Sequence, residues 1–135
     1  MAVSVLVDAS FLVTLLNVRE FNNAWAEDQA KRHPPPWTTC EAVLSEAFHL
    51  VGHHGALSLT RLLSRNALSP SFHLGPELDA VLRLMDKYAD VPMSLADACL
   101  VRMSEIFSDP VVLTTDADFR IYRRHGRQVV PCVMP

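Results

Sequence analysis

The chain has 135 residues, 50% of them hydrophobic and 20% charged, with a formal net charge of −3. That length fits a single domain with a core large enough to need no staples. The balance excludes disorder and any whole-molecule positive field that would gather nucleic acid or anionic lipid. Three widely spaced cysteines, Cys40, Cys99 and Cys132, form no Cys-x-x-Cys pair. They argue against a disulfide framework or a thiolate zinc site and favour a reducing cytoplasm. No positive charge precedes Arg19 and Asp8 interrupts the first apolar run, so the start reads as neither signal peptide nor spanning helix. The expectation is a cytoplasmic protein with no membrane partner.

The first stretch, Val3-Ser4-Val5-Leu6-Val7, is short, apolar and rich in β-branched residues. It reads as a strand buried on both faces of a parallel sheet, and it ends at Asp8. The carboxyl ends of strands in such a sheet open into the ligand crevice, so Asp8 is placed for chemistry; an Asp before an apolar run is also placed to cap a helix. That helix is short and buried, Phe11 to Leu16. A more polar helix, Trp25 to Arg32, must stop at His33-Pro34-Pro35-Pro36, because proline supplies no donor and restricts the residue before it. Trp37-Thr38-Thr39 is extended in character, and Thr38 with Glu41 fits a capping box opening a helix through about Val51. On that helix Val43, Ala47, Leu50 and Val51 form an apolar stripe with Glu46 beside them. Glu46 is then either a carboxylate needing a partner or a metal, or a stripe-edge side chain that reaches solvent.

Gly52-His53-His54-Gly55 reads as a turn before a helix from Ala56 to Leu68. His49 and His53 stand four apart, but no Glu follows His49 and the helix should fray at Gly52, which argues against zinc. Ser71 to Leu74 fits an edge strand. Gly75-Pro76-Glu77 opens a helix to Tyr88 that turns Leu78, Val81, Leu82 and Met85 to the core. Ser94 and Asp97 fit a second capping box, on a helix whose apolar face is Leu95, Ala98, Cys99, Met103 and Ile106. Val111-Val112-Leu113-Thr114 repeats the signature of the first strand and also ends in acid, at Thr115-Asp116-Ala117-Asp118-Phe119. Arg120, Arg123, Arg124 and Arg127 follow, then a last short strand, Val129-Val130.

Alternating strands and helices imply one α/β domain over residues 1–135. Its architecture is a three-layer sandwich, with a mostly parallel and roughly five-stranded sheet between helices. If the first strand and Val111–Thr114 are neighbours, Asp8 and Asp116 share one end of the sheet, and Glu46 and Asp97 could converge on the same crevice. Unit charges about 4 Å apart repel by roughly 4 kcal/mol at a surface-like dielectric. Such a cluster raises its pKa values or binds a cation, and oxygen-only ligands favour Mg²⁺ or Mn²⁺. A metal-bound water can then attack a phosphodiester.

Four motifs carry a resemblance: Asp8-Ala9-Ser10 after a Val-rich strand, Thr38-Thr39 before the helix with Glu46, Ser94-Leu95-Ala96-Asp97-Ala98, and Val112 to Phe119. In this order and at these separations, over nearly the whole chain, they resemble the PIN-domain ribonucleases. The most similar group is the small single-domain members that include the VapC-like toxins of toxin–antitoxin pairs. The resemblance implies a Mg²⁺- or Mn²⁺-dependent endoribonuclease with Asp8, Glu46, Asp97 and Asp116 as catalytic metal ligands. It assigns Ser10 to orienting water or phosphate and Asp118 to an auxiliary carboxylate. It also implies a structured RNA substrate such as tRNA or rRNA, a homodimer, and an antitoxin whose tail fills the active-site groove. Leu100-Val101-Arg102-Met103-Ser104 departs from the small, Ala-rich stretch of many members, which bears on helix packing and subgroup and not on the acids.

Arg120, Arg123 and Arg124, just past the acidic strand end, either grip substrate phosphates beside the pocket or form a solvated charged face. Two rival readings compete with the nuclease. An aspartyl phosphotransfer domain would want a second Asp where Ser10 stands and has no use for Glu46. A non-catalytic PIN-like module would hold RNA or a protein without cutting.

Overall fold

The structure, a computed structural model, describes residues 2–135. At its centre is β1 (Ser4–Val7). Successive side chains of a strand point to opposite faces, and Leu6 and Val7 are both fully buried, so both faces of β1 are covered. This is why its composition is apolar without alternation. On one side β1 pairs in parallel with β2 (Trp37–Thr38), which pairs with β3 (Leu68–Ser69). On the other it pairs with β4 (Pro110–Leu113), and β4 with β7 (Cys132–Val133). The five-stranded parallel sheet therefore runs β3-β2-β1-β4-β7.

The register between β1 and β4 positions the site. Ser4 lies opposite Pro110 and Val7 opposite Leu113, so Asp8 and Thr114 leave the sheet side by side. The Asp8 N–H holds this exit by donating to the Leu113 carbonyl at 3.1 Å.

Among the described residues six α-helices flank the sheet: α1 (Ala9–Leu15), α2 (Asn23–Arg32), α3 (Glu41–Leu50), α4 (Gly52–Ser64), α5 (Leu74–Lys87) and α6 (Leu95–Ile106). Phe11 on α1 meets Trp25 and Trp37 edge-on, with ring centroids 6.1 and 5.6 Å away, which locks α1 against α2 and β2. Helix α6 is buried on nearly every side from Ala96 to Ser104, more widely than the one apolar face its spacing predicts. Its one long charged side chain in that stretch, Arg102, bridges Glu77 of α5 and Glu105, each at 3.1 Å. The Leu100–Ser104 stretch thus fills the core and ties two helices together. Cys40, Cys99 and Cys132 are free thiols. Among the described residues no helix is long and apolar enough to cross a membrane.

Several local expectations are corrected. Thr38 lies in β2 and makes no capping box with Glu41; Cys40 is the N-cap of α3, without a side-chain bond. Thr39 instead donates to the Val7 carbonyl at 2.9 Å, joining β2 to β1. Gly52, at φ 70°, turns the chain sharply enough that α4 begins there, and His53 and His54 are helical. Leu68 belongs to edge strand β3, where burial beside Trp37 outweighs its helical spacing, and Ser71 to His73 form no strand. On α5, Val81 is fully buried but Leu78 and Leu82 are 42% and 49% exposed, so its apolar face is wider than the core it meets. Val129 pairs antiparallel in a small hairpin of β5 (Arg123–Arg124) and β6 (Gln128–Val129), around His125 and Gly126 at positive φ. The fifth strand of the main sheet is Cys132–Val133 instead.

Candidate active site

Asp8 is both a cap and a candidate ligand. Its Oδ1 accepts from the Ala9 N–H at 2.7 Å, opening α1. Its Oδ2 accepts from the Ser10 and Thr114 hydroxyls at 3.0 and 2.8 Å. The Ser10 oxygen in turn accepts from the Thr115 N–H at 3.0 Å, and the Thr114 oxygen from the Asp116 N–H at 2.9 Å. The ends of β1 and β4 are therefore laced through two hydroxyls, and Asp116 is aimed by the backbone that Thr114 holds. Asp116 then accepts from the Asp118 N–H at 2.9 Å and caps the short 3₁₀ helix Ala117–Arg120.

Asp97 arrives from another layer. The Ser94 hydroxyl accepts from the Asp97 N–H at 3.0 Å, starting α6 so that this first-turn carboxylate points at the sheet end. Its Oδ2 accepts from the Tyr122 hydroxyl at 2.7 Å. One oxygen each from Asp8, Asp97 and Asp116 lie within 4.8 Å of one another.

Of the residues singled out from sequence, these three converge and Ser10 is woven into their support. Glu46 is exposed, the solvent-reaching alternative, and stands outside the trio. It lines a cavity of about 550 Å³ between α3 and α6, walled largely by apolar side chains such as Ala42, Phe72 and Leu95. Asp118 is half-buried and engages Asp116 through its backbone. Arg120 is exposed, but Arg123 and Arg124 are turned back on the protein: Arg123 donates to the Arg120, Ile121 and Tyr122 carbonyls, and Arg124 to the Ser104 carbonyl at 2.7 Å.

Asp97, Asp8 and Glu46 resist ionisation where they stand. Burial pushes the Asp97 carboxyl from 3.8 up to about 6; the Tyr122 hydroxyl opposes that rise, and the charges of Asp8 and Asp116 add to it. Burial also raises Asp8, against the hydroxyls of Thr114 and Ser10. Glu46 is raised by desolvation where it borders the cavity, then by the charges of Asp97 and Asp116. Partly buried carboxylates that repel one another and offer only oxygen suit a hard divalent cation.

The PIN domain profile matches residues 5–124. The chain belongs to the PIN domain family. Among solved structures, this PIN domain is similar to Mycobacterium tuberculosis VapC20, described as a sarcin-ricin loop cleaving toxin. The TM-score is 0.71 at 20% identity, over 85% of this chain and 92% of that chain. At that identity the likeness is one of fold. No curated protein matches the chain.

Two residues of the PIN domain site escape a reading of its sequence. Thr114 looks like the end of an apolar strand, and only the register of β4 against β1 shows its hydroxyl reaching Asp8. Tyr122 follows the last acidic motif among arginines, with no spacing that ties it to Asp97.

Proposed function

We propose that this PIN domain, a single nuclease domain over residues 1–135, is a Mg²⁺- or Mn²⁺-dependent endoribonuclease of the toxin class. The observation that carries this reading is the meeting of Asp8, Asp97 and Asp116 at one rim of the sheet. Those three side chains hold the ion, and Glu46, at the edge of the adjoining cavity, is the fourth acid of the site. When bound, the ion supplies a water of lowered pKa and offsets charge at phosphorus. Ser10 and Thr114 keep Asp8 in place, Asp118 adds an auxiliary carboxylate at the rim, and the exposed Arg120 takes a flanking phosphate. Arg123 and Arg124 support the rim from behind more than they reach outward.

A structured RNA such as tRNA or rRNA is the proposed substrate class, supported by a fold neighbour described as a loop-cleaving toxin. An antitoxin protein, a cytoplasmic setting and a homodimer belong to the same reading. The exposed Leu78 and Leu82 of α5 offer an apolar strip that a second copy would cover.

The test is cleavage of a structured-RNA pool by purified protein with Mn²⁺, with chelator, and by Asp97→Asn. Cuts that require metal and vanish in the variant are expected. No cutting by the metal-loaded wild type would leave a binding module instead, and equal cutting by both proteins would place the activity elsewhere.

A further inference from the structure

Tyr122 is fully buried, yet its hydroxyl meets an ionisable carboxylate instead of a backbone carbonyl, donating to Asp97 Oδ2 at 2.7 Å. Its ring is held edge-on by Tyr88 and Phe119, each with its centroid 5.2 Å away. The Tyr88 hydroxyl accepts from the N–H of the next residue, Arg123, at 2.9 Å, so the peptide that follows Tyr122 is fixed as well. The phenol is therefore locked before any ligand arrives. A carboxylate otherwise swings about two side-chain bonds, and a swinging ligand binds a cation less tightly than one held in place.

We propose that Tyr122 is a positioning residue for Asp97: it fixes the carboxylate rotamer and engages one oxygen, leaving the other for the divalent cation. This rests on the reading of Asp97 as a metal ligand. Phenylalanine would fill the same space, so a purely structural tyrosine predicts no effect of its loss on metal binding.

The experiment is calorimetric titration of metal-free protein with Mn²⁺. Tyr122→Phe should bind about 10–100-fold more weakly, the usual effect of losing a partner that orients a ligand. Its near-UV circular dichroism from the tryptophans should be retained, and its cleavage rate should recover as Mn²⁺ is raised to saturation. Wild-type affinity in Tyr122→Phe overturns the proposal if Asp97→Asn has lost binding. Wild-type affinity in Asp97→Asn overturns the metal-site reading itself. A second measurement does not depend on Tyr122→Phe folding. Of the chain's two tyrosines only Tyr122 bonds an acid of the trio, the Tyr88 hydroxyl being engaged by the Arg123 N–H. Adding Mg²⁺ to the wild-type protein should shift the tyrosine absorption band, because the acceptor of the Tyr122 hydroxyl becomes a ligand. An unmoved band under saturating Mg²⁺ overturns the proposal.

Discussion

Replacing Asp97 with Asn should make the metal-free protein more stable at neutral pH, although it removes a residue proposed to be essential. The Asp97 carboxyl is held at about 6, against an ordinary 3.8. At 1.36 kcal/mol per pH unit, that difference corresponds to about 3 kcal/mol of penalty on the ionised native state. The sign follows from proton counting. Between about pH 4 and 6 the native protein keeps the Asp97 proton while the unfolded chain loses it, so stability from this group falls as pH rises across that window. The penalty is full above about pH 6 and absent below about pH 4. Asn is neutral and nearly isosteric, and its side-chain oxygen can still accept from Tyr122. In a domain of this size about 3 kcal/mol raises the melting temperature by roughly 10 °C. The assay is thermal unfolding of wild type and Asp97→Asn in chelator, at about pH 4 and about pH 7.5, the two sides of that window. A variant no more stable than wild type at the higher pH, or an advantage equally large at the lower one, would refute the electrostatic account of the site.

Three further outcomes test the fold and the site. Saturating Mg²⁺ or Mn²⁺ should raise the wild-type melting temperature, with about 2.7 kcal/mol gained at a hundred times the dissociation constant; Asp97→Asn should gain little, and an equal gain in both would place the ion elsewhere. Leu6→Ala, at a fully buried position in the central strand, should cost about 2–5 kcal/mol in chemical denaturation, and a loss well under 1 kcal/mol would contradict a β1 covered on both faces. Arg120→Ala should weaken RNA binding and lower the slope of log affinity against log salt by about 1, whereas Arg124→Ala should leave that slope unchanged and cost about 1 kcal/mol of stability through its lost bond to Ser104. The reverse pattern in filter-binding and melting measurements would reassign the two arginines.

The parallel sheet was legible because both long strands are apolar without alternation and both end in acid, a pattern that composition alone distinguishes from a wet edge. The meeting of Asp8 with Asp116 followed from one assumption about strand order, and β1 does pair with β4. The two-residue strands were the hard part. Leu68–Ser69 and Cys132–Val133 are too short to show a period, and their placement comes from neighbours distant in sequence. The capping box at Thr38 failed because Thr38 is itself paired in the sheet, with Leu6 on one side and Ser69 on the other, contacts local spacing cannot show. Thr114 and Tyr122 were invisible for the same reason: each acts across the fold, and hydroxyl donors are common enough that residue type alone carries little signal.

Thr114 reaches Asp8 across a separation of 106 residues, and only the alignment of β1 with β4 brings the two ends together. An amino-terminal portion of the chain, however well ordered, cannot assemble the three carboxylates. During synthesis on a ribosome the acidic cluster is consequently among the last features to come into being. A nascent or truncated chain holds the three carboxylates apart until β4 and the residues beyond it have emerged and docked.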